Sequence, residues 1–297
     1  MRKATEWTEC PPRFRSRQMS DSLAVMQATD WAGAIGETWA EEWVRTDRTF
    51  APVDEALVAA IATRLADTEA PRILDVGCGA GRTSLSLSEA LPDARIAGID
   101  LSPALIAAAE ARAGTPSRCR FTVADAGLWA AEDGFDLIAS RHGVMFFDDP
   151  VAALAHIRTR AAPGAPLVFS CFQAPSRNPW ASGLASLVGG PAPDPYAPGP
   201  FAFADETRVA GLLVAAGWRD PHATPLDFSY VAGGGDDPVA DAVGFFMRIG
   251  PTAFAMRTAE GAERERLHAG LEALVRDHLV DGQIVFPAAA WLWSAFA

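Results

Sequence analysis

The chain has 297 residues, 49% hydrophobic and 21% charged, with a formal net charge of −12. That length suits one α/β core with additions, and it buries enough apolar surface to fold without disulfide or metal staples. The acidic balance argues against a nucleic-acid surface, which would displace phosphate counterions with clustered Lys and Arg; no basic run of that kind appears apart from the spaced Arg13, Arg15 and Arg17.

Residues 1–20 hold no apolar run of the kind a secretory signal needs, and they read as a flexible leader. No stretch approaches the roughly 18 apolar residues of a membrane helix. Cys10, Cys78, Cys119 and Cys171 lie far apart with no C-x-x-C pair. They suit neither a zinc site nor a disulfide framework, and reduced buried thiols in the cytoplasm fit them better.

Trp31, Ile35, Trp39 and Trp43 recur every four residues, a helical stripe interrupted by Gly33 and Gly36. A second helix is predicted over 52–66. Then the rhythm changes. Arg72–Val76 reads as a short buried strand, followed by a glycine loop and a helix through Leu85, Leu87 and Leu91. Arg95–Ile99 is a strand, and Pro103–Ala113 a helix capped by Ser102. Arg120–Val123 and Phe135–Ala139 are further strands, a helix covers 149–160, and Leu167–Phe172 is the fifth strand. Strands alternating with helices through short connections imply a parallel sheet covered on both faces. Ligands in such sheets bind beyond the carboxyl ends of the strands, where the strand order reverses.

After Phe172 the alternation stops. Gly189–Pro200 reads as a loop, and a helix capped by Asp205 carries Val209, Leu212 and Leu213 before ending at Gly217. Asp227–Val231 is a candidate strand, 238–249 an apolar helix, 258–280 a longer helix, and Ala289–Ala297 a last strand. Glu260/Arg264 and Glu272/Arg276 are expected as helix pairs facing water.

The chemistry concentrates in Ile73-Leu74-Asp75-Val76-Gly77-Cys78-Gly79-Ala80-Gly81-Arg82. Alternate glycines let the backbone turn sharply and approach a ligand, and the following helix N-terminus supplies free N–H groups. A dinucleotide loop wants G-x-G-x-x-G, whereas here Arg82 stands at the third glycine position. Asp75 would repel a diphosphate and attract the ammonium of a methionyl group. Asp100 ends the second strand, where an acid accepts ribose hydroxyls. Asp125 follows the third strand, in reach of an adenine amino group. Three acids after successive strands form an ordered set. Each alone would read as a turn or cap residue.

These segments resemble class I S-adenosylmethionine-dependent methyltransferases of the bacterial small-molecule type. Ile73–Gly81 is similar to that family's first motif, Gly98-Ile99-Asp100-Leu101-Ser102 to the second, and Ala124-Asp125-Ala126 to the third. Ser140–Phe147 is similar to the segment after the fourth strand, and Pro163–Leu167 to the turn into the fifth. The likeness is good over about 70–175 and looser outside. It implies a Rossmann-like, doubly wound, seven-stranded and mostly parallel α/β sheet whose last strand runs antiparallel. Four regions follow: a leader over 1–20, a helical cap over 21–70, a cofactor-binding core over 71–175, and substrate-lid helices with the last two strands over 176–297.

The cofactor set it implies is Trp39, Asp75, Gly77, Cys78, Gly79, Gly81, Asp100, Leu101, Asp125, Ala126 and Ser140. Within that set the three glycines and Ser140 lie at the methionyl part, Asp100 at the ribose, and Asp125 with Leu101 at the adenine. His142 is a candidate general base or, equally, a ring that packs. Arg141 either orients a substrate carboxylate or pairs with Asp148 or Asp149. Phe245 and Phe246 either line a substrate pocket or pack the core. No metal is expected, the Asp148-Asp149-Pro150 run reading as a helix start. Asn178-Pro179-Trp180 faintly resembles a motif of enzymes that methylate amino groups of nucleic acids, but it follows the fifth strand, where that motif follows the fourth. The function expected is methyl transfer to O, N or C of a small, apolar or aromatic metabolite, with neither nucleic acid nor membrane as partner. Monomer and homodimer stay open. The alternatives are a non-catalytic S-adenosylmethionine-binding module and an NAD-dependent oxidoreductase.

Overall fold

The computed structural model describes residues 31–189 and 194–297. The expected leader and Cys10 lie outside the described residues. Helices α1 (Ala34–Glu41) and α2 (Trp43–Arg64) precede an alternating series: β1 (Arg72–Val76), α3 (Arg82–Ala90), β2 (Arg95–Asp100), α4 (Pro103–Ala113), β3 (Cys119–Val123), β4 (Leu137–Arg141), α5 (Pro150–Arg158) and β5 (Pro166–Phe172). There follow α6 (Pro179–Val188), α7 (Glu206–Ala215), β6 (Arg219–Gly233), α8 (Pro238–Phe246), α9 (Pro251–Thr258), α10 (Gly261–Arg276), β7 (Leu279–Val280) and β8 (Gln283–Phe296).

The main sheet runs β3-β2-β1-β4-β5-β8-β6. Strands β1 to β5 are parallel, and β8 is antiparallel to both β5 and β6. The seven-stranded, mostly parallel Rossmann-like sheet expected from the sequence is present, with the two-residue β7 added against β8. The order reverses at β1, which has β2 on one side and β4 on the other, so a crevice opens at their carboxyl ends.

Strand alternation builds two cores. Ile73, Leu137 and Val168 face Leu57, Ile61, Leu87 and Phe121 on one side. Their neighbours Leu74, Ile138 and Phe169 face Leu154, Leu213, Trp218 and Trp293 on the other. Successive side chains of a strand point to opposite faces, so a continuous apolar run such as β1 is what a sheet covered on both sides requires.

Several boundaries differ from the sequence reading. Helix α2 starts at Trp43 and carries Pro52 in its interior. Proline removes one helical hydrogen bond, but burial of Phe50, Val53, Leu57 and Ile61 on one face outweighs that loss. The helix expected over 258–280 is shorter, running from Gly261 to Arg276, because Ala259 and Glu260 are extended and Gly261 has a φ of 52°; α9 before it was not foreseen. Glu260 therefore precedes α10, and Arg264 donates to the Met256 carbonyl instead of pairing with it, whereas Glu272–Arg276 does form. Strand β6 is 15 residues long, with Pro221 and Pro225 tolerated because it is the sheet's edge. Helix α6 was not foreseen. Asn178 before it is fully buried and brackets the chain, donating to the Gln173, Ala174 and Ala289 carbonyls and accepting from the Ala289 N–H. That is a structural role for the Asn-Pro-Trp run.

Candidate functional site

The described residues enclose a cavity of ≈ 1990 Å³ at the carboxyl ends of the strands. Single-ligand pockets usually run to about 300–1,000 Å³, so this one has room for two molecules side by side. One end is polar and built on the glycine loop. The other is aromatic.

At the polar end, the Gly77 and Cys78 N–H groups donate to the Ile99 carbonyl, at 2.9 and 3.1 Å, which pins the loop to β2. Gly77 has a φ of +66° and a Cβ there would stand 3.1 Å from Gly143 Cα, so the loops after β1 and β4 touch through two glycines. Gly79 has a φ of +55° and nothing within 4 Å of its missing Cβ. It faces the cavity, as does Cys78, whose thiol is pushed well up by burial and by Asp75.

Gly81 is different. Its φ is +81°, and a Cβ would meet Ala109 Cβ at 2.9 Å and Phe121 at 3.0 Å. It is absent from the cavity wall and permits close packing of α3 on its neighbours, which corrects its expected ligand contact. Arg82 turns outward, its Nε 3.3 Å from Asp54 Oδ2, and leaves the cavity open.

The three acids all reach the cavity. Asp75 is buried. Ser84 Oγ donates to its Oδ2 at 2.6 Å, and Oδ1 has no partner among the described residues. Desolvation lifts its pKa to about 6, partly offset by the Ser84 hydrogen bond and by Arg141. Asp100 accepts from the Gly79 N–H and the Ser102 N–H, both at 2.9 Å, so it shapes the loop as well as lining the site. Burial raises its pKa too. Asp125 organises its own turn: Oδ1 accepts the Gly127 N–H at 2.8 Å, and its carbonyl accepts from Leu128 and Trp129. Leu101, Ala126 and Trp39 also line the cavity.

At the end of β4, Ser140 is fully buried and donates to the Val76 carbonyl at 2.7 Å. It does not reach the cavity, so its expected contact with a methionyl group is corrected to a tether between β4 and β1. Arg141 lines the wall but points toward the glycine-loop helix. Its Nε donates to Thr83 Oγ1 at 3.0 Å and lies 3.6 Å from Asp54. Its Nη2 is 3.9 Å from Asp47, and the guanidinium stands over the Phe50 ring. The expected pairing with Asp148 or Asp149 does not form among the described residues, and Asp149 caps α5 through the Ala152 N–H.

His142 has a left-handed φ of 56°, a strained conformation for a residue with a side chain. Its Nδ1 shares a 2.8 Å hydrogen bond with the buried Ser170 hydroxyl, while Nε2 has no partner among the described residues. Burial, reinforced by Arg141, lowers its pKa to about 3, so the ring is neutral near pH 7.

The aromatic end continues from His142. Phe172 packs edge-on against it at 4.4 Å, and Trp180 touches Phe172 at 5.2 Å. Tyr230 stacks on Trp180 at 4.7 Å with a 12° interplanar angle, and Phe50 closes the circuit back to His142 at 5.0 Å. Phe246 lies in the wall. Phe245, its helical neighbour, does not; it is 1% exposed and packs the core, so the substrate contact expected of it is withdrawn.

Sequence reasoning missed Asp47, Phe50, Phe172, Trp180 and Tyr230. A signal existed for two of them. The stripe through Trp39 and Trp43 continues to Asp47 and Phe50 at helical spacing, and the premature break before residue 52 hid it.

Fold and cavity together define a doubly wound α/β protein with its ligand site at the strand-order reversal. Residues 73–164 match the family model described as a methyltransferase domain. The chain is 36% identical over 107 residues to malonyl-[acyl-carrier protein] O-methyltransferase of a Paenibacillus species, covering 34% of this chain and 39% of that protein. It is 39% identical over 85 residues to trans-aconitate 2-methyltransferase of Escherichia coli, covering 29% and 32%. The chain thus spans about two fifths or less of the length of these curated relatives.

Among solved structures, the YcgJ protein of Bacillus subtilis superposes with a TM-score of 0.52 at 17% identity, covering 82% of this chain and 98% of that one. Phosphoethanolamine N-methyltransferase 2 of Haemonchus contortus, solved with S-adenosyl-L-methionine, gives 0.55 at 15% identity, covering 92% and 60%. These likenesses establish the fold. Residues 73–164 are thus similar to a methyltransferase domain, in keeping with the S-adenosylmethionine-dependent class that the sequence motifs resemble.

Proposed function

We propose that the protein transfers the methyl group of S-adenosylmethionine to a small, apolar or aromatic metabolite. One observation carries this reading above the others: a buried carboxylate, Asp75, lines the cavity with Oδ1 unpartnered, directly beneath a glycine loop. A buried acceptor without a donor costs about 1–3 kcal/mol. An ammonium satisfies it, whereas a diphosphate is repelled.

In this reading Asp75 holds the amino group, and Gly77, Cys78 and Gly79 provide the close backbone approach. Asp100 accepts from the ribose hydroxyls with the lone pairs its two backbone donors leave free. Asp125, Leu101 and Ala126 bound the adenine, and Trp39 closes the site from the N-terminal helix. Arg141 stands beside the loop and helps balance Asp47, Asp54 and Asp75. The bound cofactor supplies an electrophilic methyl on a positively charged sulfur. The chain's task is then to hold the acceptor in line at near-attack distance and keep water out. His142 sits at the junction of the polar and aromatic ends, where it can take a proton from the acceptor.

The regional reading places the cofactor over 71–175 and the acceptor between the 21–70 helices and the 176–297 elements. No described helix is long and apolar enough to cross a membrane. The three described cysteines are free and buried, which supports the cytoplasm as the compartment. The test is a screen of metabolites with S-adenosylmethionine, read by S-adenosylhomocysteine release, beside calorimetry with NADH. Release with at least one metabolite and no NADH binding is expected. NADH binding in place of S-adenosylmethionine would overturn the reading.

A further inference from the structure

The wall of the cavity away from the glycine loop is a continuous circuit of rings: His142, Phe172, Trp180, Tyr230 and Phe50, with neighbouring centroids 4.4–6.1 Å apart. Phe246 stacks on Tyr230 at 8°. Trp180, Tyr230 and Phe246 therefore present nearly parallel planes, which suits a flat partner laid against them.

Polar groups in this wall are sparse and unsatisfied. Trp180 Nε1 and His142 Nε2 are buried without a hydrogen-bond partner among the described residues. Tyr230, 3% exposed, brings its phenol to the same wall. A buried N–H or O–H without an acceptor is a demand that a ligand oxygen can meet. Among the described residues no Arg or Lys belongs to this ring circuit. Of the arginines that line the rest of the cavity, Arg141 is turned to Asp47, Asp54 and Thr83, Arg248 is held by Glu41 and Glu42, and Arg257 stands over Phe254 at 5.9 Å. Phe172, Trp180, Tyr230 and Phe246 lie beyond residues 73–164, the range that the family model matches.

We infer that the acceptor is a planar hydroxylated aromatic, stacked on the Trp180–Tyr230–Phe246 planes with its hydroxyl toward His142, and methylated on that oxygen. This rests on the methyl-transfer reading of the polar end. In the step, the aryl oxygen forms a bond to the methyl carbon as the sulfur–methyl bond breaks. The hydroxyl proton goes to His142 Nε2, with Nδ1–H donating to Ser170 Oγ, and leaves to water on product release. One positive charge is lost from sulfur and one appears on the imidazole. The enclosed site therefore carries the same charge before and after, and burial does not oppose the proton transfer as it would in the empty cavity.

The test is calorimetry on the full chain with three probes, 2-naphthol, naphthalene and trans-aconitate, each with and without S-adenosylhomocysteine. The inference expects 2-naphthol to bind about tenfold tighter than naphthalene, the worth of one to two hydrogen bonds, with trans-aconitate not binding. Tyr230→Phe and Trp180→Phe should each narrow that preference roughly threefold or more while leaving S-adenosylhomocysteine affinity unchanged. Equal affinity for the two bicyclic probes, tighter binding of trans-aconitate, or a preference untouched by both variants would overturn it. Loss of S-adenosylhomocysteine binding with the naphthol preference intact would instead remove the methyl-transfer reading and leave the aromatic site standing.

Discussion

The two ends of the cavity are built by different means. Apart from Trp39, the polar end comes from one segment, residues 75–143, in which successive strands deliver short loops to the same crevice. The aromatic end is assembled from Phe50 on α2, Phe172 on β5, Trp180 on α6, Tyr230 on β6 and Phe246 on α8. The first is backbone geometry and carboxylates, with strict demands on φ and charge. The second is ring packing, which many apolar sequences satisfy. Two regions with different tolerances sit on one sheet.

Substitutions can pull these ends apart. The largest effect is expected at Gly79. Valine there would force a branched side chain into a left-handed φ of +55° and into the ligand space, lowering cofactor affinity on the order of a hundredfold. The control is Gly81→Val, which meets Ala109 and Phe121 instead. Its damage should appear as a lowered melting temperature, read by calorimetric unfolding. If Gly81→Val lost affinity with stability intact, the division between ligand-facing and packing glycines would fail.

Next comes Asp100→Ala. It removes the acceptor of the Gly79 and Ser102 N–H groups as well as the proposed ribose contact. Cofactor binding measured by calorimetry should weaken by about 1–3 kcal/mol. Probe binding at the aromatic end should not change, and a parallel loss there would mean that the two ends are not separable.

Legibility in the sequence followed the same division. The α/β alternation, the strand ends and the acids were readable because each is local: Asp75, Asp100 and Asp125 announce themselves by position after a strand. Ser140 and Gly81 were read from the motif rather than from packing, and both turned out to face inward. Gly81 sits where Phe121 needs room, and Ser140 where Val76 needs a donor, facts that depend on neighbours distant in sequence. The aromatic wall could not be assembled from the chain, because Phe50 and Tyr230 meet only after the 179 residues between them have folded. Phe245 and Phe246 looked equivalent, and only the orientation of α8 distinguishes them. Pro52 misled in the opposite direction: a strong local signal lost to tertiary burial.

The central claim is that the loop after β1 holds a cation-bearing amino-acid tail through Asp75. Desolvation raises that carboxyl to about 6 in the free protein, above its ordinary value of 3.8. Ionised Asp75 therefore costs the unliganded fold some stability as pH rises through about 6, and a bound ammonium recovers it. Below that pH the carboxyl is protonated and its hold on the ammonium is lost. The decisive measurement is S-adenosylmethionine affinity from pH 5 to 8 in the wild-type chain and in Asp75→Asn. The account predicts affinity that falls as pH drops through about 6 in the wild type, and a weaker, flat profile in the variant. A flat wild-type profile, or a variant that binds as tightly as wild type at pH 8, would contradict it.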